Sequence, residues 1–207
     1  MNVKTNISSP AALNQGAPKQ PPWTPAAPNP AALNRSALDR SALTVLNLPM
    51  HDPRVRPLLD ELAVEYDSRY GHLFGRGAAA DELNRYPASE FKGPGGALLV
   101  VQEYGESIAG GAFRRYNNDT AEFKRIWTHS AHRRRGLARF VLAELEALAA
   151  RRGYRRVFPT TGPRQPEAKH LYLTSGYEPQ FDLDLDPEII RSLAFTKNLP
   201  VPVSPGR

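Results

Sequence analysis

The stretch Thr120–Gly153 limits what this chain can fold into, because it sets a basic, glycine-containing turn between a strand and a helix. Thr120-Ala-Glu-Phe-Lys-Arg-Ile-Trp-Thr128 is rich in β-branched and aromatic residues, the composition of a strand. Leu137, Val141, Leu145 and Leu148 recur at helical spacing, and Gly153 follows as a stop. Between the two lies Arg133-Arg134-Arg135-Gly136-Leu137-Ala138. The first amides of a helix have no intrahelical partners and carry partial positive charge, so such a turn is a ready anion site. Gly136 would let the backbone approach a phosphate closely, and the three arginines add charge that the dipole alone cannot.

The turn lacks the Gly-Lys-Ser/Thr ending of a nucleotide-binding P-loop, and it is not G-x-G-x-x-G. It does fit [Gln/Arg]-x-x-Gly-x-[Gly/Ala], with Arg133, Gly136 and Ala138 at the specified places. Two further segments fall in order around it. Ala121-Glu122 puts an acidic residue at the start of the preceding strand. Downstream, Gln165-x-x-Ala168-x-x-Leu171-Tyr172-x-x-x-Gly176-Tyr177 is similar to an Asn/Gln-x-x-Ala-x-x-Leu-Tyr-x-x-x-Gly-Phe/Tyr helix. In this register the chain, roughly from Glu122 to Tyr177, resembles the GNAT superfamily of acetyl-CoA-dependent N-acetyltransferases.

The resemblance implies a set of roles. The turn would bind the pyrophosphate of coenzyme A, with Arg133, Arg134, Arg135, Gly136, Leu137, Ala138 and Arg139 around it. Backbone amides at Ile126, Trp127 and Thr128 would border the pantetheine arm and receive the oxyanion. Gln165 would bond the cofactor, cap its own helix, or do both. Glu122 stands where some members use a carboxylate as general base; it could equally be a strand glutamate paired with Lys124 or an arginine. Tyr172 stands at the usual general acid, against the alternative of a core-facing tyrosine beside Leu171. Trp127 otherwise serves packing or a pocket wall. The family usually has proline at the position of Ser130, which leaves the start of the turn less fixed here.

Chemistry agrees with such a set. An alkylammonium, with a pKa near ~10, must lose a proton before it attacks a thioester. The departing thiolate, near ~8.5, benefits from a donor. His129 and His132 suggest a metal pair, but no carboxylate or third histidine stands near them at ligand spacing in the sequence. No metal is expected. A serine nucleophile is not indicated, since there is no Gly-x-Ser-x-Gly elbow, and zero cysteines exclude thiolate chemistry and disulfides.

The net charge of +6 is unevenly spread. Residues 122–156 carry ten cations against three carboxylates, whereas 52–106 carry six against ten. The basic excess sits on the phosphate turn, which favours steering of an anionic cofactor over a general nucleic-acid surface. The acidic excess, in the region where the family builds its acceptor wall, predicts a cationic amine as acceptor.

Residues 1–42 hold prolines at 10, 18, 21, 22, 25, 28 and 30, and Pro-Ala-Ala-Leu-Asn occurs at both 10–14 and 30–34. Such a segment buries too little apolar surface to offset its ordering entropy, so a disordered tail is expected, with a second at 201–207. No signal peptide and no membrane span is expected, and the absence of cysteine is compatible with a cytoplasmic protein. Residues 43–200 would form one α/β domain with a mixed, mostly antiparallel sheet of about six to seven strands flanked by helices. Strands are expected at 44–48, 97–103, 107–116, 120–128, 155–159, 177–185 and 192–199. Helices are expected from Asp52 to about Gly71, around 81–85, after Gly136, and from Pro166.

The leading reading is an N-acetyltransferase moving acetyl from acetyl-CoA directly to a primary amine of a small molecule or peptide; the resemblance also allows a homodimer. An acyl-CoA-binding sensor without catalysis and a basic nucleic-acid-binding protein are the alternatives. The latter lacks an interleaved aromatic platform.

Overall fold

The computed structural model describes residues 40–74 and 78–200. The expected tails at 1–42 and 201–207 lie outside that range apart from Arg40–Ala42, a short 3-10 turn. Seven strands form one sheet: β1 (Leu43–Asn47), β2 (Ala97–Glu103), β3 (Glu106–Arg115), β4 (Thr120–Thr128), β5 (Arg156–Thr161), β6 (Glu178–Pro179) and β7 (Leu193–Asn198). Their spatial order is β1-β2-β3-β4-β5-β7-β6. Every neighbouring pair is antiparallel except β4 and β5, which run parallel. A parallel pair needs a crossover, and α3 (Leu137–Arg151) supplies it.

Leu137, Val141, Leu142, Leu145 and Ala149 are the buried stripe of α3, which packs on Phe113, Ala121 and Phe123 of the sheet. Each such side chain contributes about 1.5–3 kcal/mol on full burial, so this face anchors the crossover. The C-terminus of α3 closes at Gly153, whose φ of 90° suits glycine. α4 (Pro166–Thr174) adds Tyr172 to the same core. The opposite face is covered by α1 (Arg56–Phe74), α2 (Ala78–Asn84) and the 3-10 turn Ala88–Phe91. Val55, Leu58 and Leu62 supply its apolar contacts, against Val100, Ala112 and Trp127. No described helix is long and apolar enough to cross a membrane.

One expected strand is mostly absent. Of residues 177–185 only Glu178–Pro179 pair with β7. Pro179 removes a ladder donor, and Asp182 then accepts from the Asp184 amide at 2.9 Å, turning the chain toward the short α5 (Pro187–Ile190).

Candidate active site

β4 and β5 pair only from Thr120↔Arg156 to Phe123↔Pro159. Pro159 brings no amide, and beyond it the two strands diverge while β4 continues to Thr128 against β3. A bulge makes the divergence possible: Lys124 faces Ala112 and Trp127 faces Gly110, so two β4 residues oppose Gly111 alone. Arg125 takes the left-handed φ of 59° there, a conformation that costs an L-residue on the order of 1 kcal/mol. Gly111 is tightly packed: a Cβ on it would lie 2.8 Å from Ile126 Cδ1 and 2.9 Å from Leu145 Cδ1, so those side chains would have to move. A Cβ on Gly110 would meet the Leu99 carbonyl at 2.7 Å.

The opened edge is chemically distinctive. The His129 amide bonds to the Ile108 carbonyl at 2.9 Å, so strand alternation turns the backbone of Thr128, and that of Ile126, away from β3 and into the splay. The same alternation points the Trp127 backbone at Gly110, unlike the expectation that all three amides face a ligand. Its indole is buried and donates to Glu61 Oε2 at 3.0 Å. Among the described residues, Thr128 Oγ1 is a buried hydroxyl without a hydrogen-bond partner. On the far wall, Gln165 accepts from Thr161 Oγ1 at 2.9 Å and the Gly162 amide at 3.1 Å. It occupies the N-cap position of α4 without capping that helix by its side chain.

At the end of β4 a 3-10 turn, Ser130–His132, leads into Arg133–Ala138. Ser130 stabilises its start in a way proline could not, because its amide donates to Glu61 Oε2 at 3.1 Å and its hydroxyl to Oε1 at 2.9 Å. Gly136 is the N-cap of α3 with φ 83°, and nothing lies within 4 Å of where its Cβ would stand. Buried Leu137 pins the helix start, Ala138 is half-buried, and Arg139 is exposed. The arginines are held by carboxylates. Arg135 makes two contacts with Glu103, at 2.6 and 2.9 Å, and Arg133 Nη2 lies 3.4 Å from Glu65. Arg134 adopts φ 66°. Partial burial pushes Glu61 up, but hydrogen bonds from Trp127 and Ser130 outweigh it, and its carboxyl sits below the ordinary value.

Folding brings to the histidine pair a carboxylate that is distant in sequence. Ligand atoms of Glu106, His129 and His132 lie within 4.8 Å of one another. The imidazole hydrogen bonds do not suit a metal, however. His129 Nδ1 accepts from the Ala131 amide at 3.2 Å, and His132 Nδ1 faces the Arg135 guanidinium at 2.7 Å. Both donors force the ring proton onto Nε2, which then points toward Glu61 from His129 and toward Glu106 from His132. A ligating histidine instead donates from its other nitrogen.

Glu122 is buried on the α1 face of the sheet, with Arg114 Nε 2.8 Å from Oε2 and Lys124 Nζ 2.9 Å from Oε1. Lys124 also donates to Thr160 Oγ1 at 3.2 Å, spanning the apex of the splay. The Tyr172 ring is packed between Tyr177 and Phe195, with centroids at 5.4 and 5.2 Å. Its hydroxyl has no hydrogen-bond partner among the described residues. Burial pushes the phenol well above its ordinary range, with Tyr66 of α1 adding to the shift.

Helix α1 contributes groups that the motifs did not indicate. Glu65 approaches both Arg133 and Gln165, the latter at 3.3 Å. Arg69 bonds the Arg164 carbonyl and Glu167, and Tyr70 accepts from the Arg164 amide at 3.2 Å. The i, i+4 spacing of Glu61 and Glu65 was the available signal. The acidic excess of 52–106 is largely used in this way: Asp52, Asp60, Glu65, Glu82, Glu90 and Glu103 each pair with an arginine. It therefore does not form a free acidic wall for a cationic acceptor.

Solved structures share this fold. An acetyltransferase from Streptococcus agalactiae is 18% identical, with a TM-score of 0.56, covering 76% of this chain and 99% of its own. The PaiA N-acetyltransferase of Thermoplasma acidophilum, solved in complex with coenzyme A, is 12% identical with a TM-score of 0.58 over 75% and 98%. A GNAT acetyltransferase of Elizabethkingia anophelis, solved with acetyl-CoA bound, is 15% identical with a TM-score of 0.55 over 76% and 99%. These likenesses establish the fold. A search of curated protein sequences finds no match. A sequence model described as "Acetyltransferase (GNAT) family" matches residues 59–177, more than half of the chain, and the protein thus belongs to that family and is an acyltransferase.

Proposed function

We propose that the protein moves an acetyl group from acetyl-CoA directly to a primary amine of a small molecule or peptide, within a catalytic domain spanning 43–200. The observation that carries this reading is the continuity of the splay with the turn. The opened strand edge runs into the unobstructed left-handed Gly136, and Thr128 Oγ1 of that strand is buried with no hydrogen-bond partner among the described residues. That suits an elongated ligand with amide groups along β4 and a phosphate at the α3 N-terminus. Arg133 to Arg139 would hold the pyrophosphate. The backbones of Ile126 and Thr128, with Trp127 and Gln165, would line the pantetheine arm and leave an amide for the oxyanion.

In the reaction the free amine attacks the thioester carbonyl, the C–N bond forms, and collapse of the tetrahedral oxyanion breaks the C–S bond. Tyr172 would give its proton to the departing thiolate and recover one from solvent. A phenol raised by burial stays protonated at neutral pH, as a donor must. Glu122 would take the ammonium proton through water.

One observation favours a second reading, an acyl-CoA sensor: both oxygens of Glu122 are already engaged by Arg114 and Lys124. An acetyl-CoA thiol-release assay across an amine panel separates the two. Amine-dependent release with an acetylated product supports the transferase. Tight acetyl-CoA binding without release for any amine supports the sensor.

A further inference from the structure

The wall beside the splay holds three cations, and they are not equivalent. Arg114 is paired with Glu90 and Glu122, and Lys124 with Glu122. Arg125 is as buried as the core, yet no described carboxylate lies within ion-pair distance of it. Its guanidinium touches the Met50 sulfur at 2.9 Å, the Leu83 carbonyl, and the face of Phe91 at 4.2 Å from the centroid. All three are neutral. A buried charge without a counter-ion is costly, and here it is reached through a left-handed backbone that an arginine does not favour. Burial accordingly pushes the guanidinium below its usual range, with Tyr66 and Glu82 opposing from a distance. Lys124, Arg125, Tyr66 and Glu82 line one narrow crevice, closed on the other side by Leu83, Tyr86 and Phe91. The Glu82 carboxylate there is taken up by Arg85 at 3.3 Å.

We propose that Arg125 receives a carboxylate carried by the acceptor, so that the substrate is a small amine bearing a carboxylate, of the amino-acid class. This rests on the acetyltransferase reading and narrows its acceptor. Arg125 directly precedes Ile126, whose backbone borders the splay, so a carboxylate held there keeps the amine of the same small molecule near the thioester. The carboxylate replaces a neutral carbonyl by a charge-assisted, bidentate partner, which is the geometry a guanidinium fork matches best. Entry requires the Leu83 carbonyl to give way, since the crevice has a volume of ≈10 Å³, about that of one water. The proposal reverses the preference for cationic amines that charge counting suggested.

The test compares each of a set of amino acids with its own carboxamide as acceptor for acetyl-CoA, following thiol release and product mass. Rates are taken per unprotonated amine, because carboxamides are less basic. The carboxylate form should be favoured in kcat/KM by about tenfold or more, the scale of a hydrogen bond to a charged group. In Arg125→Gln this preference should fall to near unity through KM, while carboxamide turnover and acetyl-CoA affinity stay within about twofold. Arg125→Lys should retain part of it, and serves if the glutamine variant does not fold. A role confined to holding Leu83 and Met50 in place would lower both acceptor classes alike and leave their ratio unchanged. Equal or better use of carboxamides, no turnover of any carboxylate form, or a preference that survives Arg125→Gln would each overturn the proposal. Failure of acetyl-CoA to bind in calorimetry would instead refute the acetyltransferase reading itself, so the two failures are distinguishable.

Discussion

The proposed phosphate turn follows the strand that carries Arg125 of the proposed acceptor wall, yet the two are built in opposite ways. Arg133–Ala138 is local: a glycine with positive φ, a helix start and adjacent arginines. The wall around Arg125 is assembled from Tyr66, Leu83 and Phe91, drawn from three separate elements. The two also differ in charge balance. Arg133 and Arg135 of the turn reach carboxylates on α1 and β2, whereas Arg125 reaches none among the described residues. A site made by backbone binds what many relatives could share, and a site made by distant side chains is where one chain differs from another.

The largest expected effect belongs to Tyr172, the proposed proton donor. Tyr172→Phe keeps the ring between Tyr177 and Phe195 and removes only the donor. General acid catalysis contributes about 10²–10⁴-fold, so kcat should fall by at least the lower figure while acetyl-CoA affinity holds. Turnover near the wild-type value would make Tyr172 a packing residue and leave the thiolate to solvent.

Glu61 tests whether the turn depends on α1. Glu61→Gln removes the charge that accepts from Trp127, the Ser130 amide and the Ser130 hydroxyl. A loss of about 1–2 kcal/mol in denaturant unfolding is expected, as for a weakened charged acceptor with one buried donor, Trp127, and two exposed ones on Ser130. The folded carboxyl is depressed, so its stabilising share is complete above the unfolded carboxylate range and is lost as pH falls through the folded value. The variant should therefore show a shallower acid limb in stability against pH. An unchanged limb would show that Glu61 contributes nothing net.

How much was legible in the sequence follows the same division. The turn, the strand before it and α3 were readable because each is specified within a few residues by a glycine, a run of β-branched residues or a four-residue apolar spacing. The adjacent glycines Gly110 and Gly111 do not by themselves say that a bulge would form opposite them and swing Arg125 to the α1 face. The strand expected over 177–185 failed on local chemistry, since Pro179 and the Asp182 turn outweigh alternation. Glu65 offered only its i, i+4 spacing from Glu61, and Arg125 gave no signal of its own, because their roles depend on where α1 and α2 land. Charge counting is limited for the same reason: a sum over residues 52–106 does not say which carboxylates are already paired.

A smaller effect is expected at Glu65, which competes with a pyrophosphate for Arg133. An exposed pair of this kind is worth about 0–1 kcal/mol, so Glu65→Gln should tighten acetyl-CoA by no more than about fivefold, most clearly at low salt. Weaker binding would show that Glu65 positions Gln165 rather than opposing the ligand. The smallest effect should come from deleting residues 1–39, whose proline-rich composition offers little to a core. Melting temperature and acetyl-CoA affinity should stay nearly unchanged, and a large drop in either would place that segment in the folded unit.

The claim on which the rest depends is that Arg133–Ala138 binds the pyrophosphate of an acyl-CoA. Isothermal titration of acetyl-CoA into the wild-type protein and Gly136→Asp tests it directly. The substitution adds a side chain and a negative charge at a left-handed position that is otherwise open. The wild type should bind one equivalent, and the folded variant should bind at least about tenfold more weakly, since opposite-sign contacts become repulsive. Equal affinity in a variant with native circular dichroism, or no binding by the wild type, would contradict the account.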